Sequence, residues 1–140
     1  MALSRYRPAL ALVLLGLAGG LALAEDTTPG VSGEHDFNLY CASCHGVSGK
    51  GDGPKAFSLE KKPPNLTTLT EKYGQFPREK LTRMIDGRDP IPGHGDREMP
   101  VWGVWFKEEA AQELGGAEGD EGTVKRRLDN LVDYIASLQK

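Results

Sequence analysis

The sequence predicts an all-α fold of three to five helices, and three stretches of it carry that prediction. Leu128, Leu131, Val132, Ile135 and Leu138 recur at i, i+3, i+4, i+7 and i+10 near the end of the chain, the period of one apolar helix face. Leu81, Met84 and Ile85 form a shorter stripe of the same kind that stops at Gly87, a residue that favours helix ends. Phe37 and Tyr40 lie three apart, on one face of a short helix that runs into Cys41. Between these stretches glycine and proline are dense and mark loops. The chain has 140 residues, enough for one domain once a targeting segment is set aside.

That segment comes first. Arg5 and Arg7 supply a positive start, Ala9 to Leu23 an almost wholly apolar run, and Ala22-Leu23-Ala24 a small-residue cleavage pattern before Glu25 and Asp26. Residues 1–24 therefore read as a secretory signal peptide cleaved after Ala24, of a form that suits a bacterial periplasm. An uncleaved anchor is the alternative, but the run falls short of the ~20 residues a membrane span needs, and Gly16, Gly19 and Gly20 weaken it further. No stable membrane insertion is expected after cleavage. Residues 25–32, with Thr27, Thr28, Pro29 and Gly30, read as a flexible polar leader, and residues 33–140 as the domain.

The full chain carries 17 Lys and Arg against 20 Asp and Glu. Cleavage removes Arg5 and Arg7 and no acid, leaving 15 basic and 20 acidic side chains and a charge of −5. Such a surface argues against nucleic acid and anionic lipid, and favours a protein partner with a basic docking patch. Plain solubility accounts for the same charge.

Only two cysteines occur, in Cys41-Ala42-Ser43-Cys44-His45. Two thiols three positions apart, followed at once by an imidazole, form the pattern of covalent haem c attachment: each sulfur joins a vinyl group and the histidine binds iron. On a helical turn both sulfurs share a face and reach one edge of a flat ring. An extracytoplasmic disulfide or redox pair and half of a zinc site are the competing readings. A redox pair calls for a strand before it in a βαβ context, and zinc for further ligands, of which the chain offers His35 and His94. Export is consistent with haem attachment outside the cytoplasm. The helices are then expected to wrap around one covalently bound haem.

The remaining elements follow in order. Ser32 suits a helix cap, with Glu34 and Asp36 in the first turn facing the positive end of the helix dipole. Gly46, Gly49, Gly51 and Gly53, closing on Pro54, make a turning loop; it lacks the order and the flanking strand of a phosphate-binding loop. Pro63 and Pro64 stiffen the next stretch into a wall or an ordinary loop. Thr70 to Gly87 reads as a helical region with Pro77, Arg78 and Glu79 in a first turn, and Met84 as core. Residues 88–100 are a breaker-rich loop holding His94 and Met99, each able in chemistry to ligate iron. Val101 to Phe106 is the most apolar piece of the domain, suited to walling a cofactor and to plain core. Lys107 to Gly122 starts helix-like and then breaks, a solvated acidic excursion. Thr123 can cap the last helix.

Gly33-x-x-x-Phe37-x-x-x-Cys41-x-x-Cys44-His45-Gly46, the C-H-G-x-x-G-x-G-x-G-P loop from Cys44 to Pro54, and Met99-Pro100 together resemble the class I cytochromes c, in particular small bacterial monohaem members. The resemblance spans Gly33 to Leu138 and is weakest over residues 104–122. It implies first and last helices crossing, with Tyr134 packed against Gly33. It also implies a Pro64 carbonyl that accepts the Nδ1 proton of His45, and His45 and Met99 as axial iron ligands. His94 or an open position is the alternative to Met99. Iron closed by histidine and thioether has no position for a substrate, so the expected function is one-electron transfer. The protein would then be an electron carrier rather than an enzyme, soluble or as the haem subunit of an oxidoreductase, with redox proteins as donor and acceptor. A haem enzyme or gas-binding sensor with an open or labile sixth position, and a haem-free thiol protein, are the other readings.

Overall fold

Ser32 opens the first helix as its sequence position suggests: its hydroxyl accepts from the His35 N–H at 3.1 Å. The structure, a computed structural model, describes residues 32–89, 99–113 and 121–140. Helix α1 covers residues 33–45 in three pieces, an α-helical turn Gly33–Asp36, a π-helical turn Phe37–Cys41 and an α-helical turn Ala42–His45. The Ala42 N–H reaches back to the Phe37 carbonyl, so one extra residue is inserted just ahead of Cys44 and His45; such insertions often mark functional positions. Gly46, at φ 76°, ends the helix where a side chain would be strained.

A single 3₁₀ turn Pro54–Ser58 follows, and a second, Leu66–Thr68, runs into helix α2, Leu69–Tyr73. Asn65 starts that second turn by accepting from the Thr67 N–H at 2.9 Å. Gly74, in the left-handed region, stops α2, and Pro77 stands just outside helix α3, Arg78–Asp86. The expected helical region over 70–87 holds two helices, the second opening at Pro77 and Arg78 as expected and the first ending at Gly74. Proline cannot sit inside a helix, and the chain uses Gly74 to Pro77 as the break. Leu81 and Ile85 are buried on α3 and Met84 is half-buried, which agrees with their stripe.

Helix α4 is Trp102–Glu113 and helix α5 is Glu121–Ser137. Two expectations change here. Residues 107–113 are helical rather than a solvated excursion, because Phe106 and Ala110, four apart, are buried on one face of α4 and carry the acidic stretch with them. The chain is already helical at Glu121, two residues before the expected Thr123 cap, and the Thr123 hydroxyl accepts instead from Arg126 at 2.9 Å. Residues 1–31, 90–98 and 114–120 lie outside the described residues, and with them the expected signal peptide, most of the expected leader and His94.

The core forms where α1, α4 and α5 meet, around Phe37, Phe106, Val124, Leu131 and Val132. The first and last helices cross at Gly33, where a Cβ would fall 1.9 Å from the Asn130 carbonyl oxygen. Tyr134 packs one turn further along: its ring meets Phe37 at 5.2 Å between centroids, while Gly33 meets backbone. The described residues hold five helices and no strand, so the all-α expectation stands, and none of these helices is long and apolar enough to cross a membrane.

Candidate functional site

The site is built on the C-terminal end of α1. Cys41 is buried, and Cys44 and His45 are half-buried; both sulfurs are free thiols. The last carbonyls of a helix need partners from elsewhere, and the glycine loop supplies them. Gly46 N–H donates to the Ala42 carbonyl at 2.8 Å, Gly51 N–H to that of His45 at 2.7 Å, and Gly53 N–H to that of Cys44 at 3.1 Å. Close approach explains the glycines: a Cβ on Gly53 would meet the Ser43 carbonyl oxygen at 2.5 Å, and one on Gly51 the Pro63 carbonyl oxygen at 2.1 Å. Leu66 N–H closes the arrangement by donating to Gly49 at 2.7 Å. The proline wall is thereby held beside the helix end.

Electrostatics single out the same place. Among the described residues, His45 Nδ1 is the buried side-chain polar atom with no hydrogen-bond partner. Burial holds its imidazole below the usual histidine range, and the Pro64 carbonyl works against that shift. The carbonyl therefore lies near the ring without closing a well-formed hydrogen bond. Cys41 is pushed up to about 12 by burial, reinforced by Asp36 and Cys44. Burial thus disfavours the Cys41 thiolate, the form that reacts in a redox pair. Among the described residues no group of three or more His, Cys, Asp or Glu that could hold a metal occurs, and His94 lies outside them.

Cys41, Cys44, His45 and Pro64 are brought together. Met99 is partly buried against the core cluster that contains Cys41, Leu66, Leu81 and Phe106, the cluster on which Tyr40 and Trp102 also pack. A further set of residues, missed in the sequence, joins the helices around it. Arg127 donates from Nε and Nη2 to the Asp36 carboxylate at 3.0 and 2.9 Å, and from Nη1 to Glu109 Oε2 at 2.9 Å. The Tyr40 hydroxyl donates to Glu109 Oε1 at 2.7 Å. One signal was available: Arg127 stands three after Val124 and four before Leu131, inside the apolar stripe, and a buried arginine requires a carboxylate.

A family model for cytochrome c matches residues 31–139. The chain belongs to the cytochrome c family. No curated protein and no solved structure matches it. Cytochromes c bind haem covalently and transfer electrons, and the two cysteines of this cytochrome c allow one such attachment. Its residues fit the group. Two unpaired thiols stand on one helical turn, the neighbouring imidazole has an orphaned buried nitrogen facing a proline carbonyl, and a thioether lines the adjoining core.

Proposed function

We propose that this cytochrome c, after loss of residues 1–24, is a periplasmic one-electron carrier rather than an enzyme, working free or as the haem subunit of an oxidoreductase. The observation that carries the reading is the end of α1, where Cys41, Cys44 and His45 stand together and the buried, unpartnered His45 Nδ1 faces the Pro64 carbonyl. Cys41 and Cys44 would hold haem c through thioethers, and His45 and Met99 would be its axial ligands. A haem closed by histidine and thioether supplies one-electron exchange at a raised potential and leaves no position for a substrate. With haem bound, the Pro64 carbonyl, already near the ring, would accept the Nδ1 proton of His45 and so fix the tautomer and orient the ring. Trp102 and Phe106, stacked at 6.1 Å between centroids, belong to the same apolar core as Met99 and would help keep water from a haem bound there. The acidic balance of the mature chain favours donor and acceptor proteins that present basic patches.

Optical spectra of the exported protein test the reading. The ferric form is expected to show the weak band that reports sulfur bound to haem iron, and Met99→Ala to lose it while keeping covalent haem. Cys41→Ala and Cys44→Ala are expected to lower the yield of haem-bearing protein sharply. A high-spin wild type that takes up carbon monoxide would replace the carrier with a haem enzyme or gas sensor, and a Met99→Ala variant with an unchanged spectrum would move the ligand elsewhere.

A further inference from the structure

We propose that Glu109, through Tyr40 and Arg127, is a positioning residue for the methionine side of the haem: it fixes α4, and with it Met99, against the helix that carries Cys41, Cys44 and His45. The inference rests on Met99 as the axial ligand and adds what holds it there.

Glu109 is divided between neighbours from three helices. Its Oε1 accepts from Tyr40 of α1 at 2.7 Å and from Trp105 Nε1 of α4 at 3.2 Å, and its Oε2 accepts from Arg127 of α5 at 2.9 Å. Tyr40 is the residue immediately before Cys41, so its hydroxyl ties α4 to the haem-binding turn itself. On the other side, the Trp105 N–H donates to the Val101 carbonyl at 3.4 Å, which carries helical bonding back to within two residues of Met99. The Tyr40 ring also lies against Trp102 and Phe106, at 5.4 and 5.9 Å between centroids. Both ends of the junction are therefore within a few covalent bonds of a haem-binding residue.

Apolar contact alone would hold α4 in place but leave its rotation and sliding loosely set, since burial is non-directional. Hydrogen bonds to a carboxylate are directional and each contributes more than a neutral pair. The α1–α5 crossing, by contrast, does not depend on Glu109: Asp36 already takes two bonds from Arg127 and is fully buried, and Gly33 seats the crossing on backbone. Removing the Glu109 arm thus releases α4 selectively, and a small release at Glu109 is passed along the helix to Met99.

The test uses the haem-loaded ferric protein and added imidazole, which binds iron only when Met99 leaves. Tyr40→Phe keeps the ring and deletes one donor. Glu109→Gln keeps the size but removes the charge: its one oxygen can accept from Arg127 and its amide N–H can at best donate to the Tyr40 hydroxyl, so neither bond is made to a carboxylate any longer. Losing a hydrogen bond to a charged acceptor should raise the apparent imidazole affinity about tenfold or more in each. The ferric sulfur band should remain at room temperature and fade at a lower temperature than in wild type. Val132→Ala, which opens a cavity at a fully buried position of α5, is the structural control: it should lower Tm and leave imidazole affinity unchanged. Wild-type affinity in both Tyr40→Phe and Glu109→Gln, or an equal rise in Val132→Ala, would overturn the positioning role while leaving Met99 as ligand. A wild type without the sulfur band, or one whose imidazole affinity matches Met99→Ala, would overturn the ligand reading and this one with it.

Discussion

At the scale of single residues, the decisive interaction is a buried ion pair of which the core cannot lose one half alone. Asp36 is fully buried and Arg127 nearly so; the guanidinium lies 4.1 Å from the Phe106 ring centroid, so water cannot replace either partner. A buried pair adds little net stability over well-packed apolar groups, but breaking it strands a charge. Arg127→Ala should therefore cost about 3–5 kcal/mol in denaturant unfolding, and the double variant Asp36→Leu with Arg127→Met should recover most of it. A loss under about 1 kcal/mol in Arg127→Ala would show that Asp36 does not depend on the pair. Cys41, Cys44 and His45 could be read directly because covalent attachment demands adjacent positions. The ion network could not, since Arg127 stands 91 residues from Asp36 and 18 from Glu109, and no local pattern records such pairings.

Elements show a similar division. The apolar stripes of α3 and α5, the Ser32 cap and the glycine loop are local signals, and each appears where its residues stand. The π-helical turn is not local in that sense: Phe37 and Tyr40 remain three apart in any helix, and the inserted residue is fixed by packing of Phe37 on α5 and Tyr40 on α4. Helix α4 was obscured because acidic composition outweighed the Phe106 and Ala110 spacing. The α1–α5 crossing provides the sharpest test at this scale. In Gly33→Ala the new Cβ faces the Asn130 carbonyl oxygen at 1.9 Å and the Leu131 nitrogen at 2.9 Å. Backbone cannot swing aside, so the helices must separate. Alanine's better helix propensity returns about 1 kcal/mol, whereas forced repacking of a close interface costs about 1–3 kcal/mol or more. A net fall in Tm is expected by thermal unfolding, and an unchanged or higher Tm would show that the crossing is looser than its geometry.

For the whole molecule the question is what holds three helices together as pH falls. Burial pushes the Glu109 carboxyl up, but hydrogen bonds from Tyr40 and Arg127 outweigh that and hold it below the usual glutamate range. A folded-state pKa below the unfolded value, about 4.3, means the stabilisation is complete above that pH and is lost as pH falls through the folded value. Because its side chain is 29% exposed, solvent screening keeps the contribution modest. Glu121 is lowered in the same direction by Arg88 and then Lys107, so acid lability of the wild type alone would not identify the group. Comparison with Glu109→Gln does, since both proteins keep Glu121. Thermal unfolding across pH should show the variant less stable at neutral pH, with a shallower decline below about pH 4.5 and the two curves converging in acid. Curves that stay parallel to the lowest pH would place the acid-sensitive contact elsewhere. Converging curves would make the carboxylate that seats α4 the point at which acid first separates the methionine side from the cysteine helix.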